Sequence, residues 1–131
     1  MKNLTTQLLA ILFCLMVGGQ AFAANLDTTR QWRQWESDVA FLQRLENQAY
    51  QAAHQGTSSG CHRAAIIYRQ MAQIHLNWAR GWEGMARNYP DATIRSQAAY
   101  QARSRNIHAQ QLQRNADQLD QLANNLARQG R

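Results

Sequence analysis

Residues 98–126 read AAYQARSRNIHAQQLQRNADQLDQLANNL, a run in which small and apolar residues recur every seventh position. One row of the repeat is Ala102, Ala109, Ala116 and Ala123; a second row is Ala98, Leu112, Leu119 and Leu126, interrupted by Arg105. A heptad repeat of this length predicts a long coiled-coil-like α-helix. Alanine throughout one row predicts that a neighbouring helix approaches closely.

Two breaks separate this helix from two others. The sequence GTSSG at 56–60 predicts a flexible connector, and Pro90 disfavours helix at the residue before it. Short connections favour antiparallel neighbours, so we expect an all-α fold, a three-helix antiparallel bundle made of a long helical hairpin and an extended C-terminal helix. The helices are predicted near 28–54, 61–88 and 92–128.

The first residues predict a secretory signal peptide. Lys2 provides a positive charge, residues 8–17 are an apolar run, and Ala21-Phe22-Ala23 fits the small-x-small cleavage pattern. The apolar run is shorter than the roughly 20 residues that span a bilayer. We therefore expect cleavage after residues 1–23 or one residue later. This leaves a single periplasmic or secreted helical domain over 24–131, with no transmembrane segment.

The exported domain is basic. Removal of Lys2 leaves thirteen arginines against eight acidic residues. On the second helix, a basic stripe is predicted opposite the apolar face. It consists of His62, Arg69, Arg80 and Arg87. The stripe is a candidate surface for lipid headgroups at the membrane periphery or for an acidic protein, and a solvated face is the alternative. We expect no nucleic-acid partner, because the chain is exported and the aromatic residues lie on the other face.

Four tryptophans are expected to gather at one end of the bundle when the first two helices fold onto each other. They are Trp32, Trp35, Trp78 and Trp82. Indoles in such a cluster either close the core or leave a partly exposed aromatic patch for a partner. The sequence leaves both alternatives open.

Cys61 is the only cysteine that remains after the predicted signal peptide. An odd cysteine in an oxidising compartment suggests an intermolecular disulfide or a reactive thiol, and a buried, inert thiol is the alternative. The third helix, at about 54 Å, is longer than the second at about 42 Å, so we expect residues 121–129 to overhang beside the cysteine. Cys61 together with Leu119, Leu122 and Leu126 is thus the candidate partner or dimer surface, unless this terminus frays.

Few residues have a spacing typical of metal or haem ligands. His54, Cys61 and His62 flank one loop, but their spacing fits no metal motif. His75 with Met71 could serve a haem, although a histidine there is more often packed at the margin of the core. We expect no metal and no cofactor.

Two oppositely charged residues occupy predicted apolar positions. Asp38 and Arg105 come level if the first and third helices run parallel, and a buried charge needs a partner, so we expect them to pair. A third inward charge, Glu46, is expected at the solvated edge of the bundle. No nucleophile, base and acid share a recognisable spacing, so no catalytic residue and no enzyme activity are expected.

These features favour a non-enzymatic exported protein that binds another protein of the cell envelope or a second copy of itself. In composition the chain resembles small exported helical subunits of bacterial secretion or conjugation machines. A component or adaptor of an envelope, secretion or conjugation assembly is therefore the leading expectation. The alternatives are an inhibitor or immunity protein that binds a toxin or hydrolase, and a carrier of a metal, haem or small ligand.

Overall fold

A computed structural model describes the backbone of residues 25–131 and the side chains from residue 33 onward. The predicted signal peptide and its cleavage site lie outside the described residues. The described chain forms three α-helices, which are α1 (Asn25–His54), α2 (Ser58–Asn88) and α3 (Ala92–Arg128). The predicted all-α three-helix bundle is confirmed, and each helix ends within three residues of its expected bounds. None of the described helices has the length and apolarity needed to cross a membrane.

The connection between α1 and α2 is shorter than the sequence predicted. Thr57 caps α2, because its Oγ1 accepts a hydrogen bond from the Gly60 backbone N–H over 3.0 Å. Gly56 has a φ of 66°, a left-handed conformation that favours glycine. At Gly60, a Cβ would collide with the carbonyl oxygen of Ala52. The two helices therefore approach each other at a point where only glycine fits.

The connection between α2 and α3 is extended. Tyr89 and Asp91 both have β-region dihedral angles, and the Asp91 carboxylate caps α3 by accepting from the N–H groups of Thr93 and Ile94. Arg95 donates from Nη1 to the carbonyl oxygen of Tyr89 over 2.7 Å. Pro90 between Tyr89 and Asp91 forms a bend, so the connection is longer than a tight reversal.

This connection sets the register of α3 against α2. Asn106 donates to Glu83 over 3.2 Å and His75 faces His108, so each of these α2 residues lies level with a residue of α3 that a tight reversal at Pro90 would not bring to it. At the other end, Cys61 packs in one cluster with the last turns of α3, and the Ser58 N–H donates to the Arg131 carbonyl oxygen over 3.0 Å. The predicted overhang at 121–129 is therefore wrong, because the extra length of α3 lies at its beginning.

Helix α2 is the centre of the bundle. It packs against both α1 and α3, while direct contact between α1 and α3 is sparse among the described residues. The alanine row of α3 is buried, as the heptad repeat predicted. The main core cluster draws on all three helices and contains Leu45, Ala49, Ile67, Met71, Ala72, Ala109 and Leu112.

Candidate functional site

The face of α3 opposite the alanine row holds side chains that the bundle does not bury. We call this the outer face, and it consists of Tyr100, Arg103, Ser104, Ile107 and Arg114. At 100° per residue, these five positions span an arc of about 100° around the helix axis. The first four line a shallow depression. Tyr100 is 63% exposed and Ile107 is 65% exposed, the highest values among the large hydrophobic residues that the structure describes.

The outer face is also basic. Between residues 91 and 117 the sequence has no acidic residue, but it has four arginines. Two of these act within the fold, since Arg95 donates to backbone carbonyls and Arg105 lies over Trp78. Arg103 and Arg114 are exposed and form no ion pair with any described residue. The face thus combines exposed apolar side chains with guanidinium groups that have no carboxylate beside them.

A separate ion cluster joins the first half of α2 to the last third of α3. Arg69 Nη2 donates to Asp120 Oδ2 over 2.6 Å and to Asp117 Oδ1 over 3.0 Å. His62 Nδ1 lies 2.9 Å from Asp120 Oδ1, which accepts the hydrogen bond. The hydrogen bonds from His62 and Arg69 lower the pKa of Asp120, and those to Asp120 and Asp117 raise the pKa of Arg69.

This cluster divides the predicted basic stripe of α2. His62 and Arg69 are already matched by carboxylates, because α3 packs on their side of α2 and presents Asp117 and Asp120 to them. Arg80 and Arg87 are exposed. Since half of its members are neutralised within the fold, the stripe is not a continuous surface for an anionic partner.

The described tryptophans are half-buried rather than fully enclosed. Trp78 Nε1 donates to Asp38 Oδ2 over 3.1 Å, and the Arg105 guanidinium lies 5.3 Å from the centroid of the Trp78 ring. Trp35 and Trp82 are also half-buried, and the side chain of Trp32 lies outside the described residues. The predicted Asp38–Arg105 ion pair is wrong, because the indole of Trp78 takes the place of a direct contact and interacts with both charges.

Next to Trp78, two histidines from different helices face each other. The ring centroids of His75 and His108 are 4.4 Å apart, and the His75 and Trp78 centroids are 5.4 Å apart in a T-shaped arrangement. His75 is 5% exposed and its Nδ1 has no hydrogen-bond partner. Burial, with smaller contributions from the positive charges of His108 and Arg105, lowers the pKa of His75 to about 4. His75 is therefore a neutral core residue at neutral pH.

The residues considered as metal ligands do not converge. His54 Nδ1 lies 2.9 Å from the Tyr50 carbonyl oxygen, His62 faces Asp120, and Cys61 is buried. Within the described part of the chain, no three or more His, Cys, Asp or Glu side chains are grouped to hold a metal ion.

Cys61 lies inside the bundle rather than at its surface. It is 1% exposed and packs with Leu119, Ala123 and Leu126 in a second core cluster. The expectation of an accessible thiol is therefore wrong, as is that of a free apolar stripe on the last turns of α3. The advance of α3 brings these turns level with the start of α2. Of the four residues predicted for this surface, only Leu122, at 47%, is exposed.

Comparisons of this chain with protein-family models, with curated proteins and with solved structures find no significant match.

The sequence prediction did not include the outer face of α3. Its signal was nevertheless present, as Tyr100 and Ile107 are seven residues apart, lie opposite the alanine row and belong to a stretch without acidic residues. The predicted overhang placed the candidate binding surface at the other end of the helix.

Proposed function

We propose that this chain is an exported, non-enzymatic helical protein that works by binding another protein of the cell envelope. It would be a component or adaptor of an envelope, secretion or conjugation assembly. The proposal combines the signal peptide predicted at 1–23 with a small bundle whose outer surface carries large exposed apolar residues.

The observation that carries the proposal is the exposure of Tyr100 and Ile107 on the outer face of α3. Isolated exposed apolar residues are common on proteins. Here the two share one face of one helix and border the same depression. Tyrosine and arginine are both enriched where proteins meet, and Arg103 lies between the two apolar residues. This combination supports a role in protein binding.

An inhibitor or immunity role is a special case of the same activity. A basic outer face would suit an acidic site on a toxin or hydrolase. A tight complex of equal stoichiometry with one soluble enzyme would favour that role over a place in an envelope assembly.

The test is to find where the protein resides and what it sediments with. In the cells that make it, we expect the protein in the osmotic-shock or envelope fraction, starting near Ala24. We also expect the protein to sediment faster in that extract than it does after purification, because in the extract it sediments as a complex with another envelope protein. A chain that keeps Met1 and stays in the cytosol, or that sediments in the extract as the isolated chain, would contradict the proposal.

A further inference from the structure

We infer that the outer face of α3 binds an amphipathic helical segment of the partner, one with acidic residues beside its apolar stripe. This inference rests on the proposed function and names the surface and the chemistry of its occupant.

The spacing of the apolar residues favours a helical occupant. Tyr100 and Ile107 are separated by one heptad, or about 10.5 Å along the helix axis. An amphipathic partner helix that runs alongside α3 also presents apolar residues at intervals of one heptad. Tyr100 and Ile107 can therefore both pack against one apolar stripe of that helix. Ser104 lies between them and is small enough to leave room for a partner side chain.

The charges favour an acidic occupant. Arg103 lies between the apolar anchors and Arg114 lies one heptad beyond Ile107, so carboxylates beside an apolar stripe would meet both guanidinium groups. Arginine binds carboxylates through two parallel hydrogen bonds, which adds orientation to attraction. A basic partner would meet like charge along the whole segment from residue 92 to residue 116, which contains no carboxylate.

The same composition argues against a membrane surface as the occupant. A helix that lies in a bilayer interface needs a broad apolar face. On α3, Ser104 lies between the two apolar residues, and Ser96 and Gln111 continue the same side of the helix beyond them; all three are exposed. Two separated apolar side chains provide anchors for a partner helix but no continuous face for lipid.

A second copy of this chain is also disfavoured. In a two-fold contact between equal surfaces, the outer face would meet itself. Arg103 and Arg114 would then lie opposite the same basic segment of the other copy.

Site-specific photo-crosslinking in the producing cells tests the inference. A photoreactive residue replaces Ser104 in the full chain, and the matched positions are the exposed Tyr50 of α1 and Ile66 of α2. We expect position 104 to form an adduct that mass spectrometry maps to an acidic, heptad-patterned segment of one protein. The double change Arg103→Glu and Arg114→Glu should lower the adduct yield about tenfold or more. The matched change Arg80→Glu and Arg87→Glu on α2 should leave it unchanged, with thermal melts showing that both variants fold.

The other outcomes separate the inference from the proposed function. Adducts only at positions 50 or 66 would overturn the choice of face but keep a protein-binding role, and no adduct at any position would count against both. An adduct with a second copy of the chain, an adduct with phospholipid, or a yield that survives both charge reversals would overturn the inference. So would tyrosine- and arginine-dependent binding of the purified protein to vesicles of phosphatidylethanolamine and phosphatidylglycerol.

Discussion

Arg105 of α3 lies over the indole of Trp78 of α2, with its guanidinium carbon 5.3 Å from the ring centroid. Its Nε is buried and has no hydrogen-bond partner in the described chain, and burial lowers the pKa of Arg105. A cation over an indole face gains about 0.5–2 kcal/mol, depending on how far it is desolvated. The ring thus lies where a carboxylate would otherwise stabilise this half-buried arginine, and a positive charge is held beside His75.

Burial of His75, with smaller contributions from the charges of His108 and Arg105, makes the bundle sensitive to acid. His108 and Arg105 face His75 from α3, and its pKa of about 4 lies below the usual 6.5. The fold disfavours protonated His75, so the free energy of unfolding decreases as the pH drops below about 6.5. Below about pH 4, His75 is protonated in the folded state as well and causes no further loss. The total loss due to His75 is about 3 kcal/mol. Urea unfolding at pH 7, 5 and 4 measures it.

His75→Gln removes the group responsible, so its unfolding free energy should change much less over the same pH range. His54→Gln is the matched control, because His54 is exposed. Equal pH dependence in the parent and in His75→Gln would show that His75 is not the residue that senses acid.

Because α1 and α2 approach each other closely at Gly60, a larger residue should be tolerated at Gly81 but not at Gly60. Gly60→Ala should destabilise the bundle by about 1–3 kcal/mol, since the new Cβ meets the Ala52 carbonyl oxygen. Gly81 lies in the same helix with open space around its Cα, so Gly81→Ala should stabilise by about 0.5–1 kcal/mol through higher helix propensity. Melting of both variants gives the two signs, and a Gly60→Ala variant as stable as Gly81→Ala would refute the close approach of the two helices at this residue.

The position of Cys61 predicts a thiol that reacts only when the bundle opens. In native buffer a thiol reagent should modify Cys61 no faster than the chain unfolds, whereas in urea it should react at once. The solution mass should therefore be the same with and without reductant. Rapid labelling of the native protein would show that the last turns of α3 do not cover the cysteine.

Substitution of Cys61 offers an independent check of the same packing. Cys61→Ser buries a hydroxyl among Leu119, Ala123 and Leu126 and should cost about 1–3 kcal/mol. Leu122→Ser, at an exposed position nearby, should change stability by less than about 0.5 kcal/mol. Similar losses for the two variants would contradict the burial of Cys61.

The sequence was sufficient to predict where the three helices lie in the chain, but not how they are aligned with one another. Periodicity and the Pro90 break located all three helices, and the alanine row identified the buried face of α3, because these are local signals. The alignment depends on the path of residues 89–91, which moves α3 along α2 relative to a tight reversal at Pro90. A proline does not reveal whether the chain reverses tightly or advances before it turns.

That one uncertainty accounts for most errors about the candidate site. It placed Leu126 and Cys61 at a surface instead of in the core. It also left His62 and Arg69 in an open basic stripe instead of opposite Asp117 and Asp120. Polar contacts that depend on three elements were also out of reach, such as the sharing of Trp78 between Asp38 and Arg105.

The most direct test of the central claim, that a partner covers the outer face of α3, is cysteine protection in living cells. Ile107→Cys and, as the control, Ile66→Cys are each made in a Cys61→Ala background, because both residues are highly exposed in the structure. Maleimide modification is read at each site by mass spectrometry, in cells and on the purified protein. The two sites should react at the same rate in the purified protein. In cells, position 107 should react at about one tenth of that rate or more slowly, while position 66 should react as fast as it does in the purified protein. Equal reaction at both positions in cells would contradict the claim.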